Sequence, residues 1–177
     1  MPTIRRLIAS LCFSAFVLTA AASSARAESV DQIRNFHMVT PFLFRSGHLE
    51  PSNFPTLGAY GIADVLTLED YWGNQSAAAN ELQLAQSAGM GLSWLPMDGL
   101  AKPTLEQIEA ALDYIVDPAH QPVLVHCLQG SDRTGMVIAA YRIRYQHWTV
   151  ADARQEMYRY GHSILLSWWD DLLQEIH

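Results

Sequence analysis

The sequence has little cysteine and little positive charge. Two cysteines in 177 residues, with no CxxC pair, exclude a disulfide-stapled scaffold and give no sign of a cysteine-based zinc site. Eleven basic against eighteen acidic residues leave a net charge of −7, which argues against general nucleic-acid binding. No internal repeat or Gly/Pro/Ser-rich linker divides the chain, and its length predicts one domain with a short appendage.

The N-terminus has the pattern of a secretory signal. Arg5 and Arg6 precede an uncharged run at residues 7–25, and an A-x-A cleavage sequence ends at Ala27. A membrane anchor is the alternative, but the last third of the run is only Ala and Ser, and about 20 apolar residues are needed to span a bilayer. We expect cleavage after Ala27, a catalytic domain over residues 28–177, and a periplasmic or secreted protein.

Cleavage would change both the net charge and the number of cysteines. It removes three arginines and no acid, so the net charge falls from −7 to −10. It also removes Cys12, so that Cys127 is the one cysteine of the exported protein. A lone thiol in an oxidising compartment cannot form an internal disulfide. Cys127 is therefore a candidate reactive residue, and a buried structural cysteine is the alternative.

Apolar runs and cap residues predict strands that alternate with helices. Strands are predicted at residues 35–40, 42–46, 63–68, 92–96 and 122–126. Helices are predicted at residues 51–60, 76–88, 104–116, 134–145 and 149–161, followed by an amphipathic segment at 164–176. This order predicts an α/β fold in which helices flank both faces of a central, mostly parallel sheet. The consecutive C-terminal helices are expected to pack together on one face.

A Cys-x5-Arg loop lies between a predicted strand and a predicted helix, in the segment VLVHCLQGSDRTG at residues 123–135. Backbone amides of a tight loop at a helix N-terminus can bind a phosphate dianion, and Gly130 permits the sharp turn. Arg133 can hold two phosphate oxygens at once. The same positive surroundings favour the thiolate of Cys127, which is the form that attacks phosphorus.

This loop resembles the HCxxGxxR[ST] signature of the protein tyrosine phosphatase superfamily. Residues 35–36, 43–47, 53–54 and 61–68 are similar to the small, atypical dual-specificity phosphatases of plants and fungi and to their bacterial exported relatives. The resemblance covers roughly residues 35–161. It implies a dual-specificity phosphatase-like fold and a phosphatase that needs no metal or cofactor and forms a phosphocysteine intermediate.

The resemblance also implies roles for individual residues. Cys127 corresponds to the nucleophile, Arg133 to the phosphate clamp, and Thr134 to the hydroxyl that stabilises the departing thiolate. His126 corresponds to the histidine that orders the loop and tunes the cysteine, and a purely structural hydrogen bond is its alternative. The phosphate-binding loop is completed by Leu128, Gln129, Gly130, Ser131 and Asp132.

A general acid must protonate the leaving oxygen. Asp98 is the best candidate because it follows a predicted strand, 29 residues before the cysteine, and this position and spacing resemble those of the family's mobile acid loop, which Gly99 can help to move. An ordinary turn aspartate is the alternative. Asp132 is a rival, although a carboxylate beside a bound dianion is repelled unless it points outward. Glu69 and Asp70 are weaker candidates and are expected to be solvated.

The substrate class stays open at the level of sequence. Phosphotyrosine or dual-specificity protein substrates are the main interpretation, and phosphoinositides or inositol phosphates are the alternative, since relatives with an aspartate at the position of Asp132 are linked to them. Many inositide-directed relatives have Lys where this chain has Ser131, which weakens that alternative. Arg45 and Lys102 are candidates to line the pocket, and for Arg45 a structural ion pair is an equal alternative.

Two other classes also remain. A rhodanese-like sulfurtransferase places a cysteine loop between strand and helix but usually lacks the Arg-Thr-Gly ending, and a non-catalytic phosphate-binding module would use the same amides.

We expect a phosphorylated protein or small phosphate ester as the substrate. We expect no nucleic-acid partner, no membrane span after signal cleavage, no bound metal and a monomer.

Overall fold

Five short strands build one sheet in the computed structural model, which describes residues 29–177. The predicted signal segment at residues 1–27 lies outside the described residues. The strands are β1 (His37–Thr40), β2 (Leu43–Ser46), β3 (Asp64–Thr67), β4 (Gly91–Trp94) and β5 (Val123–His126). The helices are α1 (Asn53–Tyr60), α2 (Gln75–Ser87), α3 (Leu105–Val116), α4 (Asp132–Gln146) and α5 (Val150–Arg159). Four 3-10 segments lie at Val30–Gln32, Tyr71–Gly73, Pro118–His120 and Ile164–Glu175.

The strand order is β1-β2-β5-β3-β4, and only the β1–β2 pair is antiparallel. The predicted α/β fold with a mostly parallel sheet is therefore confirmed. Since β2 to β5 run in the same direction, their carboxyl ends lie along one edge of the sheet. In open α/β sheets this edge is where ligands bind.

Side chains of the central strand alternate between two apolar clusters. Val123 and Val125 pack with residues of α3, α4, α5 and the C-terminal 3-10 segment. Leu124 packs on the opposite face with residues of α1 and α2. Burial on both faces explains why β5 is a continuous apolar run rather than an alternating one.

The C-terminal segment is a 3-10 helix over Ile164–Glu175 rather than an α-helix. Its buried positions repeat every three residues, which is the period of a 3-10 helix: Trp169 and Leu172 form one row, and Asp170, Leu173 and Ile176 form the other. Within residues 29–177, no helix is both long and apolar enough to cross a bilayer.

Candidate active site

The loop between β5 and α4 begins with Cys127, which is buried, with only 2% of its surface exposed. Three residues later, Gly130 has a φ of +70°. A Cβ at this position would lie 2.6 Å from the amide nitrogen of Gly47 and from the carbonyl of Ser46. Only glycine meets both conditions, so the loop can pack directly against the end of β2.

Two side chains support the loop from below through the carbonyl of Gly130. This oxygen accepts hydrogen bonds from Arg45 Nη2 at 2.5 Å and from Asn35 Nδ2 at 2.9 Å. Arg45 is 1% exposed and its guanidinium lies 4.4 Å from the ring centre of Tyr160. Burial lowers the pKa of Arg45 to about 10, which keeps it charged at neutral pH. The expectation that Arg45 lines the pocket was wrong, because burial and these contacts hold it beneath the loop.

The backbone amides of residues 128–133 belong to the loop between β5 and α4 and to the first turn of α4. Within residues 29–177, none of these amides donates a hydrogen bond to another residue. The Gly130 carbonyl is turned toward Arg45 and Asn35, which leaves the amide side of the loop available to an anion. The N-terminus of α4, which begins at Asp132 rather than at the predicted Thr134, adds its positive dipole end.

The Arg133 guanidinium is anchored through Nη1, and its Nε and Nη2 are available to bind an anion. Its Nη1 donates to the carbonyls of Leu68 at 3.3 Å and Met97 at 3.0 Å, and it lies 3.7 Å from Asp70 Oδ1. No residue of the described chain accepts a hydrogen bond from its Nε or Nη2. A guanidinium held in this way is oriented before an oxyanion arrives, as a bidentate clamp requires.

A pocket of about 150 Å³ joins these groups. Its lining residues are Glu69, Asp70, Trp72, Gly99, Leu100, Cys127, Leu128, Gln129, Asp132 and Arg133. Lys102 is not among them, so Arg133 is the one lysine or arginine that the described residues contribute to the wall. Sequence reasoning did not identify Trp72 as a residue of the pocket.

His126 is fully buried behind the loop, where two carboxylates face it. Its Nε2 lies 2.7 Å from Glu81 Oε1, and its Nδ1 lies 3.6 Å from Glu69 Oε1. Burial acts to raise the pKa of Glu69, but the hydrogen bond with His48 and the charges of His126 and Arg133 bring it below its usual value. Glu69 is therefore a buried, ionised residue and not the solvated one expected from sequence.

Asp98 lies in the loop between β4 and α3, and its carboxylate caps a turn. Its Oδ1 accepts hydrogen bonds from the amides of Leu100 at 2.7 Å and Ala101 at 3.1 Å, which lower its pKa. The next residue, Gly99, packs on the clamp: a Cβ there would lie 3.4 Å from Arg133 Nη2. The loop thus covers the arginine, while the resting carboxylate of Asp98 is held by its own turn.

Asp132 lines the pocket, and one of its carboxylate oxygens is bonded to the C-terminal segment. Its Oδ1 accepts a hydrogen bond from the Ser163 amide at 2.8 Å and lies 2.9 Å from His162 Nδ1. Burial acts to raise the pKa of Asp132, but the bonds from His162 and Ser163 lower it overall. Asp132 therefore holds the loop to the C-terminal segment. Thr134 Oγ1 is buried without a hydrogen-bond partner in the described chain, so its hydroxyl is available to a thiolate.

No group of three His, Cys, Asp or Glu side chains in residues 29–177 has the arrangement of a metal site. The site instead consists of a buried cysteine, an anchored arginine and loop amides without an acceptor in the described residues, at the carboxyl edge of a parallel sheet. This combination defines the cysteine-phosphatase class of α/β folds. The profile described as "Tyrosine phosphatase family" matches residues 32–169, and the chain belongs to this family.

Three relatives illustrate the similarity. The chain is 32% identical over 133 residues to the inositol diphosphatase DSP1 of Oryza sativa subsp. japonica, covering 72% of this chain and 57% of that protein. The core catalytic domain of the PP-IP phosphatase SIW14 from S. cerevisiae, solved with citrate, has a TM-score of 0.70 at 23% identity, over 82% of this chain and 87% of that one. The P. aeruginosa protein TpbA in complex with pTyr has a TM-score of 0.60 at 24% identity, over 80% of this chain and 83% of that one. This chain spans between half and three-fifths of the first curated relatives it matches.

Proposed function

We propose that this chain hydrolyses phosphate monoesters, with phosphotyrosine and dual-specificity protein substrates as its main class. The Cys127 thiolate attacks phosphorus, and the bond from phosphorus to the leaving oxygen breaks as a general acid protonates that oxygen. Water then attacks the phosphocysteine, the sulfur–phosphorus bond breaks, and inorganic phosphate leaves. The observation that carries the proposal is that Cys127 and Arg133 line one pocket.

The loop amides and Arg133 supply the electrostatic part of this chemistry. Both are held in place before substrate binds, so they stabilise the charge on the phosphoryl oxygens without further reorganisation. In the second step the thiolate is the leaving group, and we propose that the Thr134 hydroxyl, which is buried without a partner in residues 29–177, turns to donate a hydrogen bond to it. No metal ion takes part in the proposed steps.

Asp98 is the proposed general acid. Its resting turn keeps the carboxylate ionised, so the turn must open for Asp98 to carry a proton toward the leaving oxygen. Because Gly99 contacts Arg133, the position of this loop depends on the arginine that binds the phosphate of the substrate. We therefore propose that the loop reorganises when Arg133 binds a phosphate ester.

Inositol diphosphates are a second candidate substrate class. They are favoured by the activity named for the rice relative, to which the chain is 32% identical. They are disfavoured by a pocket wall in which Arg133 is the one lysine or arginine from the described residues. Parallel assays with a phosphotyrosine peptide, a phosphoserine peptide and an inositol diphosphate rank the two classes.

Cys127→Ser tests the proposal directly. It should abolish turnover of phenyl phosphate, because a serine hydroxyl is not ionised near neutral pH, and it should leave binding of inorganic phosphate largely intact. Wild-type protein that binds phosphate without turnover would indicate a non-catalytic binding module. Transfer of sulfur from thiosulfate to cyanide would instead indicate a sulfurtransferase.

We also propose that the chain is exported and acts as a monomer of residues 28–177. The basic start, the apolar run and the A-x-A sequence support cleavage after Ala27. Cell fractionation followed by N-terminal sequencing tests both location and cleavage, and light scattering tests the oligomeric state. A retained N-terminus in a membrane fraction would contradict the proposed processing.

A further inference from the structure

The turn after β3 has an uncommon backbone. Tyr71, Trp72 and Gly73 have φ values of +48°, +53° and +74°, so two non-glycine residues in succession lie in the left-handed region. Such residues cost free energy and persist where the surroundings hold them. Here Asp70 Oδ1 accepts a hydrogen bond from the Trp72 amide at 3.3 Å, and the Tyr71 hydroxyl lies 3.1 Å from Thr67 Oγ1.

The consequence of this backbone is the position of one indole. Trp72 is 79% exposed, so its side chain contributes little to the core, yet it lines the pocket that contains Cys127 and Arg133. Leu100, which is 71% exposed, and Leu128 line the same pocket. Three large apolar side chains thus line a phosphate-binding pocket, although phosphate itself offers nothing for them to contact.

The charges around the mouth select against a polyanion. Glu69, Asp70 and Asp132 line the pocket, and Arg133 is the one basic side chain among its lining residues. The loop amides and Arg133 accommodate one phosphate, and the described residues add no second lysine or arginine to the pocket wall to hold another. A substrate that fits carries a single phosphate on a flat apolar group.

We infer that Trp72 is a specificity-determining residue whose indole packs against the ring of an aryl phosphate held in the loop. This inference rests on the proposed phosphatase function and deepens it, because it selects aryl phosphates over alkyl and polyphosphorylated esters. Aromatic rings pack favourably on one another at centroid separations of about 4.5–7 Å, and the contact adds to the area that each ring buries. The strained turn keeps the indole at the mouth instead of against the protein surface.

The test compares Trp72→Ala and Trp72→Gly with wild type on a phosphotyrosine peptide and the matching phosphoserine peptide. We expect KM for the phosphotyrosine peptide to rise about 5–10-fold in both variants, the range that an aromatic contact provides. We expect kcat, and both constants for phosphoserine, to stay within about twofold. Trp72→Phe should recover most of the aryl preference. Trp72→Gly guards against a folding artefact, because glycine adopts the positive φ without strain.

Trp168→Ala is the matched control. Trp168 is a half-exposed tryptophan that does not line the pocket, and its removal should leave both peptides unaffected. Equal losses on both peptides, or no loss on either, would overturn the inference while leaving the phosphatase function standing. Faster wild-type turnover of an inositol diphosphate that is insensitive to Trp72 would also overturn it. If wild type hydrolyses no phosphate ester, the proposed function fails first.

Discussion

At Gly130 the conformation of one residue determines how the Cys-x5-Arg loop packs on the end of β2. Its positive φ turns the carbonyl toward Arg45 and Asn35, and its missing side chain lets the loop touch Gly47 at the end of β2. The loop amides have no acceptor within residues 29–177 and are available to an anion. Substituting Gly130 therefore tests the geometry of the site without removing any reacting group.

Gly130→Ala should destabilise the protein by about 2–4 kcal/mol, since left-handed strain and steric overlap add. Turnover of phenyl phosphate should fall at least about 100-fold as the amides lose their alignment. Urea unfolding and steady-state kinetics measure the two effects. Gly61→Ala is the matched control: Gly61 has a φ of +101° but no atom within 4 Å of an added Cβ. An active Gly130→Ala protein that is as stable as this control would contradict the account.

Asp98→Asn should slow the hydrolysis of an ester most when the leaving group must be protonated in order to depart. We expect a loss of about 100-fold for phenyl phosphate and a much smaller one for p-nitrophenyl phosphate, whose leaving group departs as a stable anion. Stopped assays with both esters measure the difference. Asp70→Asn is the comparison, because Asp70 lines the pocket near Arg133. If only Asp70→Asn shows the leaving-group dependence, the acid is Asp70.

At the scale of elements, the phosphate loop is connected to the C-terminal 3-10 segment through a buried histidine. His162 lies between two carboxylates, with Nδ1 2.9 Å from Asp132 Oδ1 and Nε2 3.3 Å from Asp170 Oδ1. Asp170 also binds Arg154 Nε at 2.6 Å and the Tyr158 hydroxyl at 2.9 Å, both from α5. The first turn of α4 is thereby held to two later elements.

Asp132→Asn should reduce the free energy of unfolding by about 1–2 kcal/mol at pH 7, because it weakens charge-assisted hydrogen bonds in a half-buried site. The folded pKa of Asp132 is lowered from its ordinary value of 3.8, so its stabilisation is present above that value and is lost as the pH falls below it. The difference between variant and wild type should therefore shrink below about pH 3.8. Urea titrations from pH 7 to pH 3 measure it.

Asp113→Asn provides the baseline for that series. Asp113 is an exposed residue of α3, and its substitution should leave the free energy of unfolding unchanged across the same pH range. A constant difference between Asp132→Asn and wild type from pH 7 to pH 3 would show that the ionised carboxylate does not hold the loop.

At the scale of the whole molecule, the parts predicted from sequence are those set by local pattern. The apolar run of β5, the capping box of α3 and the Cys-x5-Arg loop each depend on neighbouring residues, and the structure has all three. The support of the loop could not be predicted in this way. Arg45 and Asn35 reach Gly130 across 85 and 95 positions of the chain, and no local pattern encodes such a contact.

The residues of the pocket wall likewise could not be predicted from local sequence patterns. Trp72 faces the site because of a backbone conformation that its residue type disfavours, and Glu69 is buried because His48 and His126 compensate its charge. Neither feature follows from composition. The net charge of −7 likewise says little about the site, because positive potential there comes from amides, the start of α4 and Arg133.

The most direct test of the central claim is to detect phosphate on Cys127 during turnover. The protein is mixed with phenyl phosphate, quenched in acid within milliseconds and digested, and the peptide that contains Cys127 is analysed by mass spectrometry. We predict one phosphoryl group on the Cys127 sulfur in wild type, and none in Cys127→Ser, which should also be inactive. Turnover by wild type without a phosphorylated Cys127, or turnover by Cys127→Ser at the wild-type rate, would contradict the account.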